Sequence, residues 1–428
     1  MAMPGSLGEW LDFIEQHHPE PIALGLDRVA VVLARLGARL SCPVIAVGGT
    51  NGKGSTCAML ESVLRAAGYR SGLYTSPHLL RYNERVRLDG QEAGDAALCE
   101  AFAAVERARG DVALTYFEFG TLAAIWLFAR SRLDAVILEI GLGGRLDAVN
   151  VIDSDCAVLT SIGIDHVEFL GGTRESIGKE KAGIFRPGRP AVVADPDPPG
   201  SVHDEGARIG ARLLLLGRDF GYRSDPTQWG FWGPNGQRSG MAHPALRGAV
   251  QLRNAAGALC ALDALRERLP VSMRDVRRGL ADVSLAGRFQ VLPGRPRVIL
   301  DVAHNPQAAR TLGENLAANG FAGRTIAIFG MLRDKDISGV ARELAPAFTD
   351  WHVASLAGPR GTPAADLARA LEGAGVRVPI AQHPSPAEAY AAAKAAASED
   401  DKIVVFGSFV TVGEVMAYLD RGRKGLDG

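Results

Sequence analysis

Short apolar segments alternate with helical patterns along the first half of the chain. The segments that look like buried strands are residues 44–47, 72–74, 135–140, 157–162, 191–194 and 213–216. Helical patterns separate several of these segments, as is typical of parallel strands joined by crossover helices. We therefore predict an α/β fold in which this half forms a doubly wound sheet.

The pattern changes between residues 220 and 239, where aromatic side chains stand among Gly, Asp, Pro and Asn. This composition is typical of short antiparallel hairpins and predicts a small side sheet on the first domain. Two helical segments follow, at residues 249–268 and 272–281. A second series of strands then begins, with predicted strands at residues 298–302, 325–329, 352–355 and 403–406.

The Pro- and Gly-rich segment at residues 293–296 separates the two series, and we place the domain boundary there. Residues 1–285 are predicted to form a nucleotide-binding domain with a phosphate loop, and residues 286–296 a linker. Residues 297–428 are predicted to form a smaller, Rossmann-like α/β domain of ordinary size.

A glycine-rich segment, Gly-Thr-Asn-Gly-Lys-Gly-Ser-Thr at residues 49–56, follows the first predicted strand and opens a helix. Glycines let consecutive backbone N–H groups converge, the helix N-terminus adds positive potential, and Lys53 adds a full charge. This combination predicts polyphosphate binding. The usual phosphate loop has Ser or Thr directly after Gly-Lys, whereas Gly54 intervenes here before Ser55. A tight turn that binds nothing is the alternative.

Charge and cysteine content narrow the class of protein. The chain has 47 Lys+Arg and 48 Asp+Glu, so its net charge of −1 does not favour nucleic acid or an anionic membrane as partner. The five cysteines are scattered without a Cys-x-x-Cys pair, which argues against a disulfide scaffold and a structural zinc site. Neither a secretion signal nor a membrane-length apolar run is evident. We expect a reduced, cytoplasmic enzyme.

Polar residues follow several predicted strands, at the edge of the sheet where ligands bind in such folds. Glu139 comes at the end of one strand and is suited to organising magnesium, with a surface glutamate as the alternative. His166 follows the next strand and is a candidate second metal ligand, although a lone histidine is more often structural. Asp301 and His304 follow the first strand of the second domain. Lys181 lies in a charged run that, taken alone, is typical of a solvated helix face.

Two further segments suit a substrate site. Residues 76–85 contain serine, histidine and arginine side chains, which suit anions and metal, in a loop expected to overhang the phosphate site. Residues 115–119 open a helix with an aromatic pair that could form a flat pocket wall. Ordinary core aromatics are an equally good reading of that pair.

Taken in order along the chain, these motifs resemble the folylpolyglutamate synthase/dihydrofolate synthase family of the Mur-ligase superfamily. The resemblance runs from the glycine-rich loop to Gly407-Ser408-Phe409, and the Gly54 variant of the loop fits this family. It implies a Mur-ligase-type ATP-binding domain at residues 1–285 and a glutamate-ligase domain at residues 297–428.

The resemblance also implies roles for individual residues. ATP phosphates would be held by Asn51, Gly52, Lys53, Gly54 and Ser55. The nucleotide site would be completed by Asn254, Arg288 and Asp301. Two magnesium ions would be held by Ser76, Glu139, His166 and Lys181, the last as a carbamylated lysine. The dihydropteroate pocket would contain Thr115, Tyr116, Phe117, Glu118, Asp147 and Ala148, in which an aromatic wall faces the pterin and a carboxylate accepts from its N–H groups.

The implied reaction is ATP-dependent addition of L-glutamate to dihydropteroate and to tetrahydrofolates through an acyl phosphate, in folate biosynthesis. Lys53, Lys181 and His304 would be the catalytic residues, and His304 would position or deprotonate glutamate. We expect a monomer without nucleic-acid or membrane partners. The alternatives are a peptidoglycan Mur ligase, which carries an additional N-terminal domain, and a P-loop switch or phosphotransferase without a glutamate site.

Overall fold

The structure, a computed structural model, describes residues 3–16, 22–318 and 323–424, which fall into two compact units. The first unit consists of the residues up to 78, residues 82–245 and residues 251–283. The second consists of residues 79–81, residues 246–250 and the chain from residue 284 onward. No helix among the described residues is long and apolar enough to cross a membrane.

The first unit is built around an eight-stranded sheet, in the order β4-β3-β2-β5-β1-β6-β7-β8. Its strands are β1 (Val44–Gly48), β2 (Ser71–Tyr74), β3 (Val86–Leu88), β4 (Gln91–Glu92), β5 (Ala135–Glu139), β6 (Cys156–Leu159), β7 (Pro190–Val193) and β8 (Arg212–Leu215). The six strands from β2 to β8 in this order are parallel, whereas β3 and β4 are antiparallel additions at one edge. The predicted doubly wound sheet is therefore confirmed.

Helices cover this sheet because its central strands are buried on both faces. Every residue of β1, β2, β5, β6 and β7 is buried, which is typical of parallel strands between two helical layers. The helices are α1 (Leu7–Glu15), α2 (Asp27–Leu36), α3 (Lys53–Ala66), α4 (Asp95–Arg109), α5 (Tyr116–Arg130), α6 (Val167–Leu170), α7 (Arg174–Ala182), α8 (Gly200–Ile209), α9 (Val250–Ala264) and α10 (Met273–Asp282).

The predicted antiparallel side sheet is also present. It consists of β9 (Gly221–Ser224), β10 (Trp229–Gly233) and β11 (Gly236–Met241), paired in the order β11-β10-β9. Trp229 and Phe231 are buried, so the aromatic side chains that indicated hairpins in the sequence form the inner face of this sheet.

The second unit has a six-stranded sheet in the order β12-β13-β17-β14-β15-β16. Its elements are β12 (Gln290–Leu292), β13 (Arg297–Leu300), α11 (Pro306–Ala318), β14 (Thr325–Phe329), α12 (Ile337–Leu344), β15 (Asp350–Ala354), α13 (Ala364–Gly373), β16 (Ile380–His383), α14 (Pro386–Ala396), β17 (Lys402–Phe406) and α15 (Phe409–Lys424). All pairs are parallel except β12 with β13, which confirms the smaller α/β domain.

The structure differs from the sequence prediction at the sheet edges. Strands β3, β4, β12 and β16 were not predicted. Strand β12 lies inside the segment 286–296, so part of the predicted linker pairs with the sheet of the second unit. These edge strands are short and partly exposed, and they therefore lack the continuous apolar run that marks the buried strands.

Candidate active site

The glycine-rich loop connects the carboxyl end of β1 to the first turn of α3. Gly49 and Gly52 have φ values of 142° and 94°, which favour glycine, and Gly52 is the N-cap of α3. The Nζ atom of Lys53 lies 3.1 Å from the carbonyl oxygen of Gly49 and 3.3 Å from that of Thr50. The lysine ammonium therefore lies over the loop at a helix N-terminus, an arrangement suited to phosphate.

Several hydrogen bonds fasten the loop to the residues that follow β6. The N–H of Thr50 donates to the carbonyl of Ser161 (2.7 Å), and the N–H of Asn51 donates to the hydroxyl of Ser161 (3.1 Å). The hydroxyls of Thr160 and Ser161 both donate to the carbonyl of Asn51, at 2.8 and 2.9 Å. Both residues are almost completely buried. They were not predicted, because their contacts join positions more than a hundred residues apart.

Asn254 on α9 lies against the same loop. A Cβ atom added to Gly52 would lie 2.6 Å from Oδ1 of Asn254, and one added to Gly49 would lie 2.0 Å from Oγ1 of Thr160. The side chain of Asn254 is buried and donates to Oε1 of Gln251 at 3.0 Å. The structure thus brings Asn254 to the loop, as expected for a residue of one nucleotide site.

Glu139 and Ser76 meet beside this loop. Glu139 is the last residue of β5, pairs with Val47 of β1, and is only 4% exposed. Its Oε2 atom accepts the backbone N–H of Ser76 at 3.2 Å. A buried carboxylate and a neighbouring hydroxyl supply the oxygen ligands that a hard divalent cation requires. The donor set therefore fits a magnesium ion next to the phosphate loop.

Lys181 is buried at the end of α7, against the segment that follows β5. A Cβ atom added to Gly144 would lie 2.9 Å from the Cα of Lys181, so the glycine permits this close packing. The pKa of Lys181 is lowered to about 7, mainly by burial and also by the charge of Lys53, while Asp165 and Asp147 oppose the shift. This lysine is therefore not the solvated residue that the charge run alone suggested.

His166 is the N-cap of α6, with φ 52°, and its N–H donates to Oδ1 of Asp165 at 2.8 Å. In residues 3–16, 22–318 and 323–424, no three His, Cys, Asp or Glu side chains are grouped so that they could hold a metal ion. The predicted set contains only two residues of these types, Glu139 and His166. The role of His166 as a metal ligand therefore stays a prediction.

Phe117 and Asp147 both lie against the segment that follows β5, at Gly141 and Leu142. A Cβ atom added to Gly141 would lie 2.6 Å from the ring of Phe117, and the ring centres of Phe117 and Tyr74 are 6.1 Å apart. Asp147 accepts the N–H groups of Leu142 (2.7 Å) and Val149 (3.0 Å). Burial raises the pKa of Asp147 to about 6, while these hydrogen bonds oppose the shift. Ala148 is buried directly beside it.

Thr115 and Glu118 have a structural part at the start of α5. The Thr115 hydroxyl accepts the N–H of Glu118 (3.2 Å), and Glu118 accepts the N–H of Thr115 (2.8 Å), which is a capping box. Glu118 is 2% exposed and forms an ion pair with Arg28 at 2.8 Å. Arg28 was not predicted. Glu118 therefore orients the helix that carries Tyr116 and Phe117.

In the second unit, Asp301 follows β13 and organises the local backbone. Its carboxylate accepts the N–H groups of Phe289 and Ala303, both at 2.8 Å, and burial raises its pKa. The guanidinium of Arg288 lies 5.1 Å from the ring centre of Phe409. Nδ1 of His304 lies 2.8 Å from the carbonyl oxygen of Val302. A neutral His304 then carries its proton on Nδ1, which leaves Nε2 as the basic nitrogen.

Two family models match the chain. The model described as Mur ligase middle domain matches residues 47–262, and the one described as Mur ligase, glutamate ligase domain matches residues 287–409. Among curated proteins, the dihydrofolate synthase/folylpolyglutamate synthase of Escherichia coli (strain K12) is 48% identical over 420 residues. That alignment covers 98% of this chain and 97% of the relative.

Two solved structures are similar over nearly the whole chain. One is E. coli FolC in complex with DHPP and ADP, with a TM-score of 0.94 and 46% identity, covering 99% of this chain and 100% of that one. The other is a bifunctional folylpolyglutamate synthase/dihydrofolate synthase with Mn, AMPPNP and L-glutamate bound. Its TM-score is 0.89 at 46% identity, covering 97% of this chain and 98% of that one.

Proposed function

Because this chain belongs to the dihydrofolate synthase/folylpolyglutamate synthase family of Mur ligases, we infer that it catalyses the ATP-dependent ligation of L-glutamate in folate metabolism. The acceptors are dihydropteroate and reduced folates, as the resemblance implied. ATP and a divalent cation are its cofactors, in line with the relatives bound to ADP or to AMPPNP and Mn.

The single observation that supports this function most strongly is the convergence of Lys53, Glu139 and Lys181 around one glycine-rich loop. A P-loop switch needs the loop and one metal-organising acid, but it has no need of a buried lysine beside them. Lys53 lies over the loop, Glu139 ends the strand beside β1, and Lys181 is buried against Gly144 in the segment that follows β5. The Lys53 ammonium and a divalent metal suit a reaction that brings a substrate carboxylate to a triphosphate.

We propose that the reaction proceeds through an acyl phosphate. A carboxylate is a poor acyl donor, since its leaving group would be oxide, so its oxygen first attacks the γ-phosphorus of ATP and ADP departs. The amine of L-glutamate then attacks the acyl carbon, loses a proton, and phosphate leaves. Lys53 stabilises negative charge on the transferring phosphoryl group, and His304 through Nε2 is the proposed acceptor of the amine proton.

The metal-binding residues are proposed to be Ser76, Glu139, His166 and Lys181, in two sites. When bound, the divalent cation would supply charge neutralisation on the phosphates. Lys181 suits this proposal as a carbamate, because its lowered pKa leaves much of the amine neutral near pH 7, and only a neutral amine can combine with CO₂. The resulting carboxylate would add oxygen ligands for the divalent cation.

The pterin is proposed to lie against Phe117, with Asp147 accepting its N–H groups. An aromatic ring can pack on the flat pterin, and a carboxylate is the acceptor that its amino group needs. Tyr116 and Ala148 border the same proposed pocket, whereas Thr115 and Glu118 hold the first turn of α5 in place through the capping box.

The second unit is proposed to be the glutamate-ligase domain, and the first the ATP-binding domain. The matched family models support this assignment, since the middle-domain model ends at residue 262 and the glutamate-ligase model begins at residue 287, close to the predicted boundary. Participation of Arg288 and Asp301 in nucleotide binding stays a prediction from the resemblance. We also propose a cytoplasmic monomer; light scattering coupled to size-exclusion chromatography tests the oligomeric state.

The test is an assay of ADP release by the purified chain with dihydropteroate or tetrahydrofolate, each with and without L-glutamate. We expect release to require both the pteroyl acid and glutamate, and product mass spectrometry to show one added glutamyl group. Lys53→Ala and Glu139→Ala should each abolish release. Turnover that is independent of glutamate would favour a phosphotransferase and overturn the proposal, as would near-normal turnover of either variant.

A further inference from the structure

Arg85, a residue to which the proposed reaction assigns no role, lies between two tyrosine rings. Its guanidinium carbon is 5.3 Å from the ring centre of Tyr82 and 5.5 Å from that of Tyr116. Cation–π contacts of this kind hold the plane of the guanidinium and leave its edge available. The arginine is therefore pre-organised at some cost in desolvation, which calls for a reason beyond surface charge.

His78 fixes one nitrogen of this guanidinium. Nε–H of Arg85 donates to Nδ1 of His78 at 2.9 Å. Because Nδ1 accepts, a neutral His78 carries its proton on Nε2, which gives the cluster a second donor. Within the described part of the chain, this is the only hydrogen bond of the Arg85 side chain, and no carboxylate pairs with it.

The cluster borders both the metal ligands and the pterin pocket. Ser76, which contacts Glu139, is two residues before His78. On the other side, Tyr116 directly precedes Phe117. Tyr74 lies between the cluster and Phe117, because its ring centre is 6.1 Å from that of Phe117 and the N–H of the next residue, Thr75, donates to the carbonyl oxygen of Arg85 at 2.9 Å. A substrate that extends from the pocket towards the metal ligands would pass this cluster.

We propose that Arg85, assisted by His78, holds a carboxylate that is not activated in the reaction, namely one on a glutamyl group of a substrate. A planar guanidinium fork with unfilled terminal N–H groups matches a carboxylate in both charge and shape. The activated carboxylate already has Lys53 and the divalent cation to balance its charge. Glutamyl carboxylates occur on reduced folates and on free L-glutamate, whereas dihydropteroate has only the carboxylate that reacts.

This inference rests on the proposed function and is tested by steady-state kinetics of Arg85→Gln. KM is measured for ATP, L-glutamate, dihydropteroate and tetrahydrofolate. Loss of a charge-assisted hydrogen bond predicts a rise of about 10- to 100-fold in one KM. If the folate supplies the carboxylate, KM rises for tetrahydrofolate and not for dihydropteroate. If free glutamate supplies it, KM for glutamate rises with both acceptors.

Arg130→Gln is the matched control, because Arg130 also lies over an aromatic ring, 4.7 Å from the centre of Trp126, at the far end of α5. It should change no KM. Arg85→Lys keeps the positive charge but lacks the planar guanidinium, so it should raise the same KM by a smaller factor. It replaces Arg85→Gln in the test if that variant does not fold.

The proposal is overturned if a folded variant of Arg85 shows unchanged KM values for tetrahydrofolate and glutamate. An equal rise in all four KM values would also overturn it, because this would indicate a structural role. Failure of the proposed function can be told apart from failure of the Arg85 proposal. In the former case, the wild-type chain itself would show no ADP release that depends on pteroyl acid and glutamate.

Discussion

Oδ1 of Asn254 lies 2.6 Å from the position that a Cβ atom on Gly52 would occupy. Gly52, directly before α3, therefore has no room for a side chain, and its φ of 94° is unfavourable for residues other than glycine. The loop and α9 are fitted to each other at this point, so a change in one displaces the other.

We predict that Gly52→Ala weakens ATP binding about tenfold or more, because a strained backbone and a displaced Asn254 together cost on the order of 1–3 kcal/mol. The affinity is measured by calorimetry with a non-hydrolysable ATP analogue. Gly68→Ala is the matched control, since Gly68 has φ 88° but no atom within 4 Å of its added Cβ. Equal affinities in the two variants would contradict the prediction.

Lys181→Ala is expected to lose nearly all ligase activity, whereas Lys179→Ala keeps it. The two lysines lie on the same helix, but Lys181 is buried towards Lys53 and Lys179 is exposed. Intact-protein mass spectrometry of freshly prepared wild-type enzyme should show the added mass of one CO₂. Fully active enzyme with an unmodified lysine would rule out the carbamate, and an active Lys181→Ala variant would rule out the role of the residue.

Phe117→Ala should raise KM for dihydropteroate more than KM for ATP. Loss of a ring that packs over Gly141 removes a wall of the pocket but leaves the glycine-rich loop and its anchors in place. Steady-state kinetics with each substrate varied in turn provides the measurement. Phe128→Ala, which removes a ring buried near the other end of α5, controls for general loss of packing. Equal effects of Phe117→Ala on both KM values would count against the pocket.

The stability of the chain should fall in mild acid because of a histidine pair on the second sheet. Nδ1 of His352 and Nε2 of His383 are 2.9 Å apart, on the adjacent strands β15 and β16. Burial lowers the pKa of both side chains, and the mutual effect lowers that of His352 further. Two nearby carboxylates, Asp350 and Glu388, oppose the shifts, whereas Arg324 adds to that of His352.

The folded state therefore favours neutral imidazoles, while the unfolded chain binds protons below about pH 6.5. Stability is complete above that pH and decreases as the pH falls. His383→Gln should reduce the dependence of the thermal midpoint on pH between about 7 and about 5. His243→Gln, at an exposed position of the first unit, should leave the dependence unchanged. A wild-type midpoint that is flat over this range would refute the prediction.

The buried parallel strands were predictable because each has a continuous apolar run. Residues 325–329 were predicted as a strand and form β14, and the predicted strand at residues 44–47 forms β1. Strand β16 was missed because none of its four residues is buried, and β4 because it has only two residues, both exposed. A sequence pattern reports burial, so it does not detect a strand whose stability comes from pairing at an edge.

The candidate site was predictable only where it lies at strand ends. Glu139 ends a buried strand and Lys53 begins a helix, and the rules of parallel sheets bring such positions together. Thr160, Ser161 and Arg28 act through hydrogen bonds or ion pairs to segments distant in the sequence. No local pattern indicates such a partner, so the supporting residues of the site became visible only in the structure.

The ion pair between Arg28 and Glu118 limits how far the N-terminus of the enzyme can be truncated. The matched middle-domain model begins at residue 47, so a fragment cut to start there would discard α2 and with it the cation that neutralises the buried carboxylate of Glu118. The start of α5, which carries Phe117, would then contain an uncompensated charge. We therefore expect the smallest catalytically competent fragment to extend upstream of the region that the family model matches.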